Sequence, residues 1–175
     1  MLPAGPLREP VPRTVPAHTL VLYNADAAST PLPGQLVTRS LAGAVGLVDW
    51  WAGQAASKSA LQSLRGRPIV AAAGLARPQR FFDMLRASGL SVETLALPDH
   101  HDYDPLPWPA QTGDVVVTEK DAVKLAPVRM GLTRVWVAAL DFAPDPAFDQ
   151  ALVALLPSVH PPLHPHESAH GSPTA

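Results

Sequence analysis

The stretch PIVAAAGLARPQRFFDMLRASGLSVETLAL, residues 68 to 97, combines two apolar runs with a helix pattern between them. The run Pro68 to Gly74 is continuously apolar and ends in glycine, which is typical of a buried parallel strand. Pro78 suits the first turn of a helix, and Gly89 lies where a C-terminal cap belongs. LSVETLAL, Leu90 to Leu97, predicts a second strand. This order favours two parallel strands that are connected by a crossover helix.

The same order recurs further along the chain. DVVVTEKDAVKLAP, Asp114 to Pro127, starts with a valine-rich strand, and Thr118 can cap the short helix that follows. RVWVAAL, Arg134 to Leu140, predicts another strand, and Pro146 to Leu156 has the pattern of an amphipathic helix. We therefore predict an α/β fold with a mainly parallel sheet flanked by helices.

The patterns are weaker before residue 68, and proline marks the limits of the fold. We predict strands at His18–Asn24 and Gln35–Leu41 and a helix near Gln54–Leu64. The 21 prolines concentrate near both ends of the chain and in Pro98–Pro109, where we expect irregular backbone. The predicted organisation is a proline-rich lead-in over 1–17, an α/β domain over 18–156, and a disordered Pro- and His-rich tail over 157–175.

The composition excludes several classes of function. The 175 residues are 47% hydrophobic and 16% charged, which indicates a globular domain. A net charge of −2 and the lack of a Lys/Arg-rich block argue against a nucleic-acid partner. Without cysteine, there are no disulfides, thiolate metal sites or cysteine nucleophiles. No apolar run approaches the about 20 residues that span a bilayer, and a signal-peptide pattern is missing from the start, so we expect no export.

Polar residues follow three of the predicted strands. Gly74–Arg77, Asp99–His100 and Thr118–Asp121 each stand where an apolar run ends. Because open parallel sheets bind ligands at the carboxyl ends of their strands, we expect these three segments to line one opening.

Two interpretations of these polar segments stay open on the residues alone. Asp99 and His100 are candidates for acid/base work, since a carboxylate can orient an imidazole that titrates near neutral pH; they also suit a solvated loop. Thr118, Glu119, Lys120 and Asp121 could position a substrate or could only cap and decorate a helix. The sequence contains no G-x-x-x-x-G-K-S/T phosphate loop and no G-x-G-x-x-G.

Four segments, taken together and in order, resemble the tetraacyldisaccharide 4'-kinases, the lipid A 4'-kinases of Gram-negative bacteria. MLPAGPLREP resembles the segment after that family's nucleotide-binding half, and AAAGLARPQRFFDMLRASGL its A-G-I-x-x-P-x-R-F-F block. LPDHHDY is similar to F-P-D-H-H/Y-x-F/Y, and VVVTEKDAVKL to L-T-E-K-D-A-V-K. The resemblance covers Leu2 to Leu156.

The resemblance implies a fold like the C-terminal part of a P-loop NTPase-like kinase, and a phosphotransferase activity. ATP, with Mg²⁺, would phosphorylate the 4'-hydroxyl of a lipid A disaccharide 1-phosphate precursor and give lipid IVA. The implied partners are this lipid and the inner-membrane surface. The implied location is peripheral, at the cytoplasmic face of that membrane, although the fragment alone could be cytoplasmic.

The resemblance also implies roles for particular residues. His100 belongs to the catalytic machinery and pairs with an aspartate of the family's N-terminal half, while Asp99 supports the site. Arg8 and Glu9 match positions near the nucleotide, with Glu9 as a metal ligand. The roles of residues 118–121 stay unassigned. Trp50 and Trp51 are candidates for a lipid-facing surface, or are ordinary core residues.

The sequence departs from the family in length. The family's phosphate loop, metal-binding Asp pair and base aspartate all precede G-P-L-R-E, and here only residues 1–4 do. We therefore expect a fragment that needs its N-terminal half for ATP and Mg²⁺ and that is inactive alone. The alternatives are a non-catalytic interaction module that docks on a separate N-terminal kinase half, and an unrelated small α/β enzyme that uses Asp99 and His100.

Overall fold

The computed structural model describes residues 11–25 and 27–156. Arg8, Glu9 and the predicted tail over 157–175 lie outside the described residues, so the expectations for them stay predictions. The strands are β1 (Leu22–Tyr23), β2 (Gln35–Leu36), β3 (Thr38–Gly46), β4 (Ile69–Ala73), β5 (Val92–Ala96), β6 (Asp114–Thr118) and β7 (Arg134–Ala143). The helices are α1 (Leu47–Trp51), α2 (Lys58–Ser63), α3 (Pro78–Ala87), α4 (Glu119–Ala122) and α5 (Pro146–Leu155), with a 3-10 turn at Pro127–Arg129.

A five-stranded sheet forms the centre of the domain, in the order β3-β7-β6-β4-β5. The pairs β4/β5, β4/β6 and β6/β7 are parallel, and only β3 runs antiparallel to its neighbour β7. The prediction of a mainly parallel sheet flanked by helices is therefore confirmed. After β4 the chain forms β5 on one side and then crosses to form β6 on the other side of β4. Such a reversal of strand order opens a crevice at the carboxyl ends of the strands.

Both faces of this sheet are covered, which explains the continuous apolar runs. Val116 packs in one cluster, with Phe81, Phe82 and Leu85 of α3. Its neighbours Val115 and Val117 point the other way into a second cluster, which includes Tyr103, Trp108 and Leu125. Successive strand side chains alternate between faces, so a strand with two buried faces has apolar residues at successive positions.

The amino-terminal elements differ from the predicted ones. Only Leu22–Tyr23 of the predicted strand 18–24 is a strand, and it pairs with β2 in a separate two-stranded sheet. The predicted strand at residues 35–41 is interrupted at Val37, and β3 continues to Gly46. The predicted helix near 54–64 begins only at Lys58, where the Ser57 hydroxyl accepts from the Ala60 amide. Small residues such as Ala42 and Gly43 have weak strand preferences, so pairing with β7 decides their structure.

A buried carboxylate connects β6 and β7 at the amino end of β6. Asp114 is 3% exposed, and it accepts two hydrogen bonds from Arg134, at 2.9 and 2.7 Å, and one from Trp136 Nε1 at 3.0 Å. Arg67 adds a longer ion pair of 3.8 Å. Burial by itself raises the pKa of Asp114, but the hydrogen bonds from Arg134 and Trp136 outweigh it and hold the pKa below its ordinary value of 3.8.

Replacing Asp114 by alanine should lower the free energy of unfolding by about 1–3 kcal/mol at pH 7, because the buried donors lose their acceptor. A carboxyl with a lowered folded-state pKa contributes stability above its ordinary pKa and loses it as the pH falls through the folded value. Urea unfolding should therefore show that the parent has a higher free energy of unfolding than Asp114→Ala at pH 7. This difference in stability should decrease as the pH falls below 3.8, the ordinary pKa of an aspartate.

The matched control for this experiment is Asp83→Ala, which removes an exposed ion pair with Arg86. This change should alter stability by less than about 0.5 kcal/mol. Equal losses for the two variants, or a difference at Asp114 that is independent of pH, would contradict the interpretation.

Candidate functional site

The carboxyl ends of β4, β5 and β6 meet at one edge of the sheet. Gly74, directly after β4, shows how closely they approach: a Cβ atom added there would lie 3.0 Å from Asp121 Oδ1, 3.3 Å from the Pro98 carbonyl oxygen and 3.5 Å from His101 Cβ. These neighbours belong to the segments that follow β6 and β5. The structure thus brings together the three segments that the sequence placed at this edge.

Asp121 is the residue that joins two of these segments. Its side chain is completely buried, and its Oδ2 atom accepts from the Gly74 amide at 3.1 Å and from the Thr118 hydroxyl at 2.8 Å. The Thr118 hydroxyl in turn accepts from the Asp121 amide at 3.2 Å and caps α4. The predicted cap is therefore present, and the same hydroxyl also positions a buried carboxylate.

The other oxygen of Asp121 is buried without a hydrogen-bond partner among the described residues. Asp121 Oδ1 and the Tyr103 hydroxyl are both buried and make no hydrogen bond to any of the described residues. Lys124 Nζ lies 3.9 Å from Asp121 Oδ1 and donates to the His101 carbonyl at 2.8 Å. Burial, followed by the charge of Asp121, raises the pKa of Tyr103, so its hydroxyl keeps its proton.

Asp99 and His100 lie on the exposed side of this arrangement. Asp99 accepts from Lys120 Nζ at 2.7 Å, and this hydrogen bond holds the pKa of Asp99 below its ordinary value. Asp99 Oδ1 also accepts from the His100 amide at 3.1 Å. The His100 imidazole is 78% exposed, and its Nε2 lies 3.8 Å from Asp99 Oδ2, which is too long for a hydrogen bond. The imidazole is therefore open towards solvent and free to meet another group.

The backbone around His100 adopts an uncommon conformation. His100 has φ 64° and Tyr103 has φ 63°, in the left-handed region that side chains other than glycine rarely occupy. The buried Tyr103 ring anchors the loop, and the Tyr103 amide donates to His101 Nδ1 at 2.9 Å. Arg129 fixes the far side through Asp104 at 2.7 Å. The aromatic position of LPDHHDY therefore serves to hold the loop, and His101 has a structural contact of its own.

A cleft of about 390 Å³ lies at the carboxyl ends of β4 and β6, where the strand order reverses. Four cationic side chains line it, Arg39, Arg77, Arg80 and Lys120, and we call it the cationic cleft. Lys120 connects the cleft to the loop, since it also binds Asp99. Reasoning from the sequence placed Arg77 and Lys120 at this edge and missed Arg39 and Arg80. Arg80 could have been found from the segment A-R-P-Q-R-F-F. This segment places two arginines, and no acidic residue, at the start of a predicted helix.

The two tryptophans suggested for a lipid-facing surface have different environments. Trp50 is partly buried and packs against the second core cluster. Trp51 is 51% exposed, although its Nε1 donates to the Leu125 carbonyl at 2.9 Å. None of the helices within residues 11–25 and 27–156 combines the length and the hydropathy that a membrane-spanning segment requires.

The residues that the structure describes contain no cluster of three metal-binding side chains. Across 11–25 and 27–156, no three side chains of His, Asp or Glu come together in a way that could hold a metal ion. At the polar edge, Asp99 is engaged by Lys120, and Asp121 by Gly74 and Thr118. Glu9, which the resemblance implies as a ligand, lies outside the described residues.

The fold is similar to that of a solved kinase. The crystal structure of LpxK from Aquifex aeolicus in complex with ATP matches with a TM-score of 0.50 and covers 73% of this chain and 38% of that chain. The sequence identity is 20%, so the likeness shows the fold alone. The class is therefore a mixed α/β domain with a mostly parallel sheet flanked by helices.

The family model for Tetraacyldisaccharide-1-P 4'-kinase matches residues 1–157, and the chain belongs to this family. The tetraacyldisaccharide 4'-kinase of Methylibium petroleiphilum is 58% identical over 166 residues, which cover 92% of this chain and 46% of the relative. The corresponding kinase of Leptothrix cholodnii is 51% identical, with 92% of this chain and 47% of the relative covered. The chain thus spans about half the length of the curated relatives that it matches.

Replacing Gly74 by alanine should disturb the loop that carries His100. The added methyl group would press on Asp121 Oδ1 and on the Pro98 carbonyl, and such overpacking costs about 1–3 kcal/mol. The free energy of unfolding should fall by that amount, and the NMR signals of the His100 and His101 rings should shift. Gly113→Ala is the control, because nothing lies within 4 Å of an added Cβ there. Unchanged histidine signals in Gly74→Ala would show that the close approach does not position the loop.

Proposed function

We propose that this chain is the part of a tetraacyldisaccharide 4'-kinase that supplies the general base for the sugar acceptor, at the sheet edge next to the loop of His100. The reaction is the transfer of the γ-phosphoryl group of ATP to the 4'-hydroxyl of a lipid A disaccharide 1-phosphate precursor, which gives lipid IVA. The observation that carries this proposal is His100: its exposed imidazole lies on a loop fixed to the switch point of the sheet, in a chain that belongs to the kinase family.

In this reaction, the 4'-oxygen of the sugar attacks the γ-phosphorus. A new P–O bond forms, the bond between the γ-phosphorus and the bridging oxygen of ADP breaks, and the hydroxyl loses its proton. The His100 imidazole is the group that receives this proton, since a neutral imidazole is a base near physiological pH. The aspartate with which it pairs comes from the N-terminal half of the kinase.

Asp99 and Lys120 support this role without receiving the proton. The hydrogen bond from Lys120 lowers the pKa of Asp99, so Asp99 stays ionised at neutral pH and is a poor proton acceptor. Its contact with the His100 amide, at 3.1 Å, fixes the backbone at the histidine. Its negative charge, 3.8 Å from His100 Nε2, stabilises the imidazolium that forms when the proton arrives.

ATP and Mg²⁺ are bound by the complete kinase, with Arg8 and Glu9 of the G-P-L-R-E segment near the nucleotide and Glu9 as a metal ligand. The 175-residue sequence contains no phosphate loop, and the described residues contain no metal-ligand set. In this proposal, an N-terminal half would complete the site, in the same polypeptide or in a separate one. The proposed location is the cytoplasmic face of the bacterial inner membrane, where the lipid acceptor is available.

The isolated 175-residue chain should show no ATP-dependent phosphorylation of the lipid acceptor. Addition of the N-terminal half of the Methylibium relative, fused or mixed, should restore transfer, which is measured as ³²P-labelled lipid on thin-layer chromatography. Restoration by mixing would assign the chain to a partner-subunit role, and restoration only by fusion would assign it to a single polypeptide. Turnover by the isolated chain would contradict the assignment of the phosphate loop to the other half.

In the fused kinase, His100→Ala should reduce kcat by about 10²–10⁴-fold, which is the usual contribution of a general base. KM for the lipid should change little, because the imidazole acts on the proton and does not hold the acyl chains. The matched control is His18→Ala: His18 is also exposed and has a similar φ, 57° against 64° for His100. A kcat for His100→Ala equal to that of His18→Ala would remove His100 from the mechanism.

A further inference from the structure

The cationic cleft lies at the part of the sheet where α/β proteins usually bind ligands. It is formed where the chain, after β4, places β5 on one side and β6 on the other. Leu75 and Arg77 line it from the carboxyl end of β4, and Thr118 and Lys120 line it from the carboxyl end of β6. In open parallel sheets, ligands bind in this crevice because the loops on its two sides diverge there.

The charges around the cleft are unbalanced. Arg39 comes from β3, Arg77 and Arg80 from the start of α3, and Lys120 from α4. Lys120 has a partner in Asp99, whereas the three arginines form no ion pair with any residue in 11–25 or 27–156. Glu119 is the single acidic residue among those that line the cleft. Three guanidinium groups are thus available to an anion.

The position of Arg77 and Arg80 at the start of α3 also favours an anion. The first turn of this helix contains no acidic residue, and Arg77 at the N-cap makes no side-chain capping bond. Arginines at this end of a ten-residue helix are unfavourable, because the helix N-terminus is itself positive. A bound anion would offset this repulsion and would accept from the free backbone amides of the first turn.

The interior of the cleft is apolar. Leu75, Phe81, Met84 and Leu140 line it beneath the cationic side chains. Phe81 is 2% exposed and belongs to the core, whereas Leu140 is 45% exposed. A cavity that combines guanidinium groups with aliphatic and aromatic walls suits a molecule with an anionic group next to an apolar part.

We propose that the cationic cleft binds the phosphate monoester of an amphiphilic molecule, with Arg77 and Arg80 on the phosphate and Arg39 and Lys120 beside it. A planar guanidinium group matches two phosphate oxygens, which accounts for arginine at these positions. The inference deepens the proposed function on which it rests, because the family acts on a disaccharide that already carries a phosphate. The cleft would hold that existing phosphate while the loop of His100 acts on the hydroxyl at the other sugar.

The test is binding of hexyl phosphate to the full 175-residue chain, by isothermal titration calorimetry, with inorganic phosphate and hexanol as comparison probes. Hexyl phosphate should bind more tightly than inorganic phosphate, since the apolar wall contacts the hexyl group, and hexanol should not bind measurably. Arg80→Gln and Arg77→Gln should each weaken hexyl phosphate binding by about tenfold, which is typical of one lost charge-assisted contact.

Arg86→Gln is the matched control, because Arg86 lies on the same helix, pairs with Asp83 and does not line the cleft. This variant should bind hexyl phosphate within twofold of the parent, and far-UV circular dichroism should show all three variants folded. If hexyl phosphate and inorganic phosphate bind equally well, and Arg80→Gln binds neither, the ligand is free phosphate. That result would overturn the proposal that the cleft binds an amphiphilic phosphate monoester. Affinities that are unchanged in both cleft variants would overturn the site itself.

These measurements need no turnover, so their failure is separable from a failure of the proposed function. A chain that does not bind hexyl phosphate, but whose fused form depends on His100, would keep the kinase assignment and reject the cleft. In the opposite case, hexyl phosphate binds specifically but turnover of the fused kinase does not depend on His100. This result would support the cleft as a binding site and reject His100 as the general base.

Discussion

The hydrogen bonds of the buried Asp121 carboxylate hold together the sheet edge at which β4 and β6 end. Asp121 lies in the first helical turn after β6, yet its Oδ2 atom accepts from the amide of Gly74 at the end of β4. The same oxygen accepts from Thr118. A buried carboxylate without such donors would be strongly unfavourable, so the two strand ends are stable only in this arrangement. The space that Gly74 leaves by having no side chain is the space that Asp121 and the loop after β5 occupy.

The β6 strand carries a buried carboxylate near each of its ends, and the two are stabilised by different means. Asp114 is matched by the cations Arg134 and Arg67 and by the indole of Trp136. Asp121 is matched mainly by uncharged donors, with Lys124 at a longer distance of 3.9 Å. The first arrangement joins β6 to β7. The second leaves one carboxylate oxygen facing the Tyr103 hydroxyl, under the loop that carries His100.

This geometry gives each group at the edge a separate task. The buried groups fix the loop that carries His100, and the exposed groups are accessible to a ligand. The Tyr103 ring and Asp121 belong to the first kind, and the His100 imidazole to the second. Lys120 belongs to both, since it neutralises Asp99 and lines the cationic cleft. The proton acceptor and the phosphate site that we propose lie on one sheet edge, an arrangement that suits a phosphorylated sugar acceptor. In this proposal, the nucleotide is bound by the other half of the kinase.

Local sequence patterns were sufficient to predict the central strands, the crossover helix α3 and the edge at which polar residues collect. Its apolar runs at β4 and β6 are continuous, and a parallel strand with two buried faces requires that pattern. The motifs also pointed to the kinase family, which the family model confirmed. The weakly patterned region before residue 68 was predicted less well, because the extent of β3 and its antiparallel direction depend on pairing with β7.

The contacts of the polar residues at the edge became apparent only in three dimensions. Asp99 and His100 are adjacent in sequence, yet the carboxylate binds Lys120, 21 positions away. Asp121 and Gly74 are 47 positions apart and form one hydrogen bond. Arg39 reaches the cationic cleft from an edge strand that the sequence did not predict to lie there. Periodicity reports which side chains are buried, whereas contacts between distant segments depend on the strand order, which no local pattern contains.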